Sequence, residues 1–135
     1  MTIDPKSDQQ ETPRPRRTWA AKFGTAFRGL KLGVRGHSSF SVHFFFAALV
    51  VVAATVLQCN LEQWCLLIAC IGGVLTAELF NSAVETLFRS LDAETRERAW
   101  PALDIAAGAV LFASLTASVI GLVVFVSRLV ACLGW

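Results

Sequence analysis

The chain has few charged side chains and three long stretches with almost none. Only 16% of its 135 residues are Asp, Glu, Lys or Arg, whereas 55% are apolar and the mean hydropathy is +0.58. A soluble domain averages about 25% charged residues. The composition therefore argues against an ordinary soluble domain and predicts a single domain embedded in a membrane.

Cysteine pairs and a cleavable leader are also missing. None of the four cysteines, Cys59, Cys65, Cys70 and Cys132, forms a CxxC pair. We interpret them as apolar packing residues, with a Cys59–Cys132 disulfide near the outer surface as the alternative. No small-residue cleavage site follows the basic N-terminal segment, so we expect the whole chain to stay in the membrane.

Three apolar stretches are long enough to cross a bilayer, which takes about 17 to 25 residues. They cover residues 39–60, 63–88 and 102–128. The second stretch contains two carboxylates, so it spans only if these lie near one interface or face the interior of a bundle. The pattern predicts an all-α integral membrane protein with three transmembrane helices.

The segment before the first span divides into two parts. Residues 1–17 are polar, contain proline and lack aromatic side chains, which predicts a disordered tail. Residues 18–36 place Trp19, Phe23 and Phe27 at helical spacing, with basic residues largely off that stripe. This pattern predicts an amphipathic helix that lies along the membrane surface.

The basic residues favour one orientation. Eight of the 12 Lys and Arg residues precede the first span, and three lie between the second and third. The loop between the first and second spans has none, and Arg128 alone lies near the C-terminus. The positive-inside rule then places the N-terminus and the second loop in the cytoplasm, and the first loop and the C-terminus outside.

Polar side chains interrupt the second apolar stretch in the sequence AELFNSAVETLF, residues 77–88. Glu78, Asn81, Ser82 and Glu85 are spaced i, i+3, i+4 and i+7, so they lie on one helix face. Carboxylates inside a membrane are costly and mark function by default. Two carboxylates and an amide suit Mg²⁺, and a carboxylate one turn away could take a proton from a hydroxyl.

A structural interpretation of the same residues is also open. Glu85 would pair with Arg89 at i+4, and Glu78 would hydrogen-bond to another helix. Asp104 has two interpretations as well. It either complements the helix dipole in the first turn of a third helix that Pro101 starts, or joins the other two acids near the cytoplasmic side.

Two histidines flank the start of the first span. His37 and His43 are six residues apart and do not share a helix face. We interpret them as interfacial residues rather than as metal ligands.

The pattern Glu78-x-x-Asn81-Ser82-Ala83-x-Glu85 resembles the motif E-x-x-N-[ST]-A-x-E of the small integral-membrane lipid kinases of bacteria, the diacylglycerol kinase and undecaprenol kinase family. The resemblance extends beyond the motif to about residues 20–125. It includes AFRGL at 26–30, Phe40, and DIAAGAVLFAS at 104–114.

The resemblance implies a homotrimer in the bacterial inner membrane, with active sites built between subunits at the cytoplasmic interface. It implies phosphoryl transfer from ATP, with Mg²⁺, to the hydroxyl of diacylglycerol or undecaprenol. The implied roles are catalytic base for Glu78, substrate or nucleotide binding for Asn81 and Ser82, Mg²⁺ binding for Glu85, and an acidic site residue for Asp104.

Three positions depart from the family pattern. By the resemblance, His37 occupies the metal-binding position that would act with Glu85, but the family usually has Glu there, and neutral imidazole is a poor Mg²⁺ ligand. Leu103 stands where the family has Lys, and Arg89 stands where it commonly has Asp. One interpretation is a loss of activity. The other is that Arg89 supplies the phosphate-contacting charge that Leu103 lacks.

Three classes of protein are therefore open: an ATP-dependent lipid kinase, a non-catalytic membrane protein on the same scaffold, and a proton or ion carrier using Glu78 and Glu85. A carrier needs polar groups through the full membrane, and beyond the span-end residues Gln58 and Asn60 the outer halves of the spans offer little more than Ser, Thr and Cys. We favour the kinase, with ATP, a membrane lipid and the bilayer as partners and no nucleic acid.

Overall fold

The structure is a computed structural model that describes residues 18–35 and 39–134. Within these ranges the chain forms four α-helices, so the all-α prediction is confirmed. They are α1 (Trp19–Arg35), α2 (Ser39–Val56), α3 (Leu61–Arg89) and α4 (Ala93–Cys132). The predicted tail at 1–17 and His37 lie outside the described residues.

Helix α1 carries its aromatic side chains on the outside. Trp19, Phe23 and Phe27 are all more than 60% exposed, and no residue of α1 is buried. The helix contacts α3 near Gly33, where an added Cβ would come within 2.7 Å of the Leu79 Cδ2. Glycine therefore permits this approach, and the exposed aromatic stripe is typical of a helix at a membrane surface.

Two of the helices are long and apolar enough to cross a membrane by themselves, and a third crossing is present if α1 and α2 are counted together. Helix α3 has 29 residues and α4 has 40. The α1–α2 pair passes the same test only jointly, with a bend of 99° between Trp19–Arg35 and Phe40–Val56. The architecture is thus two or three spanning helices.

Hydrogen bonds fix the corner between α2 and α3. Gln58 adopts a left-handed conformation, with φ of 52°, and its N–H and the next one bond back to α2. This is the Schellman arrangement that ends many helices. Asn60 then caps α3 and exchanges hydrogen bonds with Gln63. The Arg128 guanidinium of α4 donates to the carbonyls of Leu57 and Gln58, which ties three helices together.

The start of α4 differs from the prediction. Helix α4 begins at Ala93 and is capped by Asp92, so the expectation that Pro101 starts it was wrong. The Asp92 carboxylate accepts hydrogen bonds from Thr95, and good helix formers follow. Pro101 is tolerated inside the helix at the cost of one backbone N–H. Asp104 consequently lies in the fourth turn, away from the helix terminus.

The small core lies between the C-terminal halves of α2 and α4 and the N-terminal half of α3. It contains Ala54, Leu67 and Val124, with Trp64 and Phe125 packed against them. Most other large apolar side chains are exposed, as expected where lipid or another subunit surrounds a helix. The four cysteines are free, so the Cys59–Cys132 disulfide is not present.

Candidate functional site

One face of α3 carries the polar motif into the protein. Glu78 and Ser82 are buried, each with 2% of its surface exposed, and Asn81 and Glu85 are half-buried. The four side chains that were predicted to share one helix face therefore all point at least partly into the protein.

The Glu85 carboxylate is held from its own helix. The Asn81 Nδ2 donates a 3.0 Å hydrogen bond to Glu85 Oε1, and the Arg89 Nη2 lies 3.4 Å from Glu85 Oε2. The pairing of Glu85 with Arg89 at i+4 is thus present. The Arg89 side chain is 67% exposed, so it can also reach a ligand outside the helix.

The Glu78 carboxylate is buried, and a side chain of the described residues approaches only one of its two oxygens. Its Oε2 lies 3.7 Å from the His43 Nε2 of α2, whereas its Oε1 has no hydrogen-bond partner in the described part of the chain. The buried Ser82 Oγ, one turn away, is also unpartnered. Because a buried polar group without a partner is costly, two such groups on one face indicate that something else binds there.

The contact between His43 and Glu78 was not predicted from the sequence. The inward positions of α2 are 40, 43, 47, 50 and 54, a spacing of three and four residues. That spacing would have placed His43 inside the bundle. However, α2 is apolar on every side, so nothing in its sequence indicates which face points inward.

Two cavities lie along α3. A cleft of about 530 Å³ between α2, α3 and α4 is lined mainly by apolar side chains, with His43, Ser114 and Ser118 as polar exceptions. A second cavity, about 660 Å³, lies between α1 and α3 and includes Ser82 and Thr86 in its wall. The second cavity therefore contacts the motif directly through Ser82, whereas the cleft approaches it through His43, the neighbour of Glu78.

The described residues do not form a complete metal cage. No group of three or more His, Cys, Asp or Glu side chains within them is close enough to hold a metal ion. Asp104 is exposed on α4, so one chain does not gather it with Glu78 and Glu85 into such a group. The Glu85 carboxylate and the Asn81 amide nevertheless fit Mg²⁺ that arrives on phosphates, since proteins usually hold that ion by one or two carboxylates plus substrate phosphates.

An all-helical membrane chain with buried carboxylates on one spanning helix defines a narrow class of protein, and the comparisons with known proteins identify it. The family model of prokaryotic diacylglycerol kinase matches residues 24–125, about three quarters of the chain. The chain belongs to this family, which confirms the resemblance found in the motif.

A curated relative agrees with the family. Over 127 residues the chain is 28% identical to the undecaprenol kinase of Bacillus subtilis (strain 168), an overlap that covers 94% of this chain and all of that protein. No solved structure matches the chain. Together the family and this relative indicate a lipid kinase of a bacterial membrane.

Proposed function

We propose that this chain transfers the γ-phosphoryl group of ATP to the hydroxyl of a membrane lipid, either diacylglycerol or undecaprenol, as a homotrimer in the inner membrane. The observation that carries the proposal is the buried Glu78 carboxylate, whose Oε1 has no hydrogen-bond partner among residues 18–35 and 39–134. A carboxylate in that condition is suited to accept the proton of an alcohol that approaches it.

The distance between Glu78 and Glu85 along α3 gives the two carboxylates different roles in this proposal. Glu78 and Glu85 are seven residues apart, which is about 10 Å along a helix that rises 1.5 Å per residue. One ion cannot be bound by both carboxylates at that separation. Glu78 therefore acts on the lipid hydroxyl, while Glu85 and Asn81 bind the ion.

Mg²⁺ bound there would neutralise negative charge on the phosphates, which phosphoryl transfer chiefly requires. Arg89 adds a second positive charge next to Glu85 and takes the place of the cation that Leu103 does not provide. Ser82 lies between the two acids on the same face and offers a hydroxyl to the substrate or nucleotide. Asp104 would complete the site from another subunit, because it is exposed on its own chain.

An apolar cleft near Glu78 offers a place for the hydrocarbon chain of the lipid. His43, whose Nε2 lies 3.7 Å from the Glu78 Oε2, is part of the wall of this cleft, and the rest of the wall is almost entirely hydrocarbon. A lipid whose first methylene groups bind there would bring its hydroxyl towards Glu78.

The direct test is a radiolabelled-ATP assay in mixed micelles, with diacylglycerol and undecaprenol offered in parallel. The wild-type chain should label one of them, and Glu78→Gln should lower labelling to background. Glu94→Gln is the matched control, since it removes an exposed carboxylate that pairs with Arg98 outside the site.

A non-catalytic homologue is the second candidate, favoured by Leu103 and by the exposed Asp104. It predicts no labelled lipid from either acceptor, although the purified chain is helical and trimeric. Labelling that survives Glu78→Gln would instead remove Glu78 from the role of base.

A further inference from the structure

We propose that His43 is a positioning residue for Glu78: it engages the Glu78 Oε2 and so leaves Oε1 directed at the lipid hydroxyl. This inference rests on the proposed kinase function for its kinetic consequences, although the contact itself does not depend on it.

The contact is asymmetric. The His43 Nε2 lies 3.7 Å from Glu78 Oε2, and Glu78 Oε1 has no protein partner among the described residues. The terminal torsion of a glutamate is broad and roughly two-fold, so an unanchored carboxylate exchanges its oxygens freely. One imidazole N–H on Oε2 is sufficient to select one arrangement.

The distance is slightly longer than a hydrogen bond. Catalytic contacts in unliganded sites are often long and tighten when substrate binds. The Glu78 side chain is 3% exposed and that of His43 is 20% exposed, so little water competes for the contact. A small movement of the imidazole would complete the bond.

The fold holds His43 in place from both ends of α2. Phe40, one turn before it, and Ala54, three turns after it, are buried on the same face. The end of α2 is tied to α4 through the Arg128 hydrogen bonds. His43 is also the one ionisable side chain in α2, so the helix presents no other group that could hold the carboxylate.

The imidazole takes no part in bond making. In the transfer step the lipid oxygen bonds to the γ-phosphorus while the bond from that phosphorus to the β–γ bridging oxygen breaks. ADP leaves with the electron pair, and the hydroxyl proton goes to Glu78 Oε1. His43 keeps its proton on Nε2 and holds Oε2 throughout. Magnesium binding is also excluded as its role, because Mg²⁺ prefers oxygen ligands.

The kinetic test compares His43→Ala with His43→Gln. Gln keeps an N–H donor near the position of Nε2, whereas Ala removes it. We expect His43→Ala to lower kcat about 10- to 100-fold, the loss typical when a supporting hydrogen bond is removed, with the KM for ATP within about twofold. His43→Gln should recover most of that kcat. Phe45→Ala, an exposed change on the same helix, is the control and should leave kcat within about twofold of wild type.

Each other result overturns the proposal. If His43→Gln is as inactive as His43→Ala, the imidazole has a chemical role of its own. If kcat is unchanged and the KM for ATP rises, His43 acts in nucleotide binding.

A spectroscopic measurement separates this inference from the proposed function. The ¹⁵N resonance of the His43 ring nitrogen, identified by its loss in His43→Gln, should move in Glu78→Gln and stay in place in Glu94→Gln. This readout needs no turnover. If the chain transfers no phosphate yet the resonance moves, the contact stands and the kinase proposal fails. An unmoved resonance overturns the positioning role in an active or an inactive chain.

Discussion

Asn81 and Glu85 are joined by a 3.0 Å hydrogen bond from the Asn81 Nδ2 to the Glu85 Oε1. Arg89 approaches the other oxygen at 3.4 Å, so groups on both sides constrain one carboxylate. All three side chains belong to α3 and are separated by single turns. The part of the site assigned to the ion is therefore formed within one helix, whereas the part assigned to the hydroxyl depends on a contact between helices.

Removal of the Glu85 charge should weaken the use of magnesium before anything else. Glu85→Gln keeps the size of the side chain and an acceptor oxygen but loses the anion that attracts the ion. We expect the Mg²⁺ concentration for half-maximal activity to rise at least about tenfold, equivalent to roughly 1.4 kcal/mol of lost binding. The measurement is a Mg²⁺ titration at saturating ATP. Glu94→Gln should leave the titration unchanged, and an identical curve for Glu85→Gln would exclude Glu85 as a ligand.

Arg89 should matter for the nucleotide more than for the lipid. Its guanidinium is largely exposed and lies next to Glu85, where it can contact phosphate oxygens. We expect Arg89→Ala to raise the KM for ATP or to lower turnover several-fold, while the KM for the lipid changes little. Steady-state kinetics with each substrate varied in turn measure this. An unchanged ATP KM together with unchanged turnover would show that Arg89 only pairs with Glu85.

A compensating change makes the Arg89 prediction sharper. Leu103→Lys introduces the cation that the family pattern has at this position and that this chain lacks. If Arg89 replaces that cation, Leu103→Lys should restore a large part of the ATP KM and turnover lost in Arg89→Ala. The matched control is Leu103→Met, which keeps the length without the charge. Equal recovery by Lys and Met would mean that charge is not the cause.

The helices were largely predictable because each apolar run has the length of a membrane span. The start of α3 is also marked in the sequence, because Asn60 and Gln63 form a capping box there. The start of α4 was misassigned because Pro101 is a common first residue of helices, whereas Asp92 had already provided a capping carboxylate. The polar face of α3 was readable from spacing, because its residues are polar within an apolar run.

The parts of the site that join different helices were not readable. The partner of Glu78 is set by how α2 rotates against α3, and a helix that is apolar all round gives no information about rotation. Asp104 illustrates the same limit, since its place in a site depends on packing between chains rather than on its own helix. Local sequence therefore predicts contacts within α3, such as that of Asn81 with Glu85, better than contacts between helices, such as that of His43 with Glu78.

The corner between α2 and α3 should respond in opposite directions to two substitutions. Gln58 has a positive φ, which disfavours side chains with a Cβ, so Gln58→Gly should stabilise the fold by up to about 1 kcal/mol. Arg128→Met leaves the Leu57 and Gln58 carbonyls without their donor and should destabilise it by about 1 to 3 kcal/mol. Thermal unfolding in detergent measures both.

The control for this pair is Arg128→Lys, which keeps the charge but replaces the guanidinium fork by one ammonium. It should fall between wild type and Arg128→Met. If Arg128→Met unfolds at the wild-type temperature, the hydrogen bonds to α2 do not stabilise the bundle. A loss of stability in Gln58→Gly would mean that the Gln58 side chain contributes more than its backbone conformation costs.

Acid should weaken the start of α4 through Asp92. Hydrogen bonds from the Thr95 backbone N–H, and then from its hydroxyl, lower the pKa of this carboxyl below its ordinary value of 3.8. A group whose pKa is lower in the folded chain stabilises the fold above its unfolded pKa, and this stabilisation is lost as the pH falls through the folded value. The midpoint of thermal unfolding should therefore decrease below about pH 4 more steeply in wild type than in Asp92→Ser.

Asp92→Ser is the matched variant, because serine keeps a capping oxygen that does not titrate in this range. Asp92 is exposed, so the difference between the two chains should be small and should shrink with added salt. Thermal unfolding followed by circular dichroism in detergent, from about pH 6 to about pH 3, gives the change of the midpoint with pH for both chains. An equal pH dependence in the two chains would show that Asp92 does not link the stability of the fold to pH.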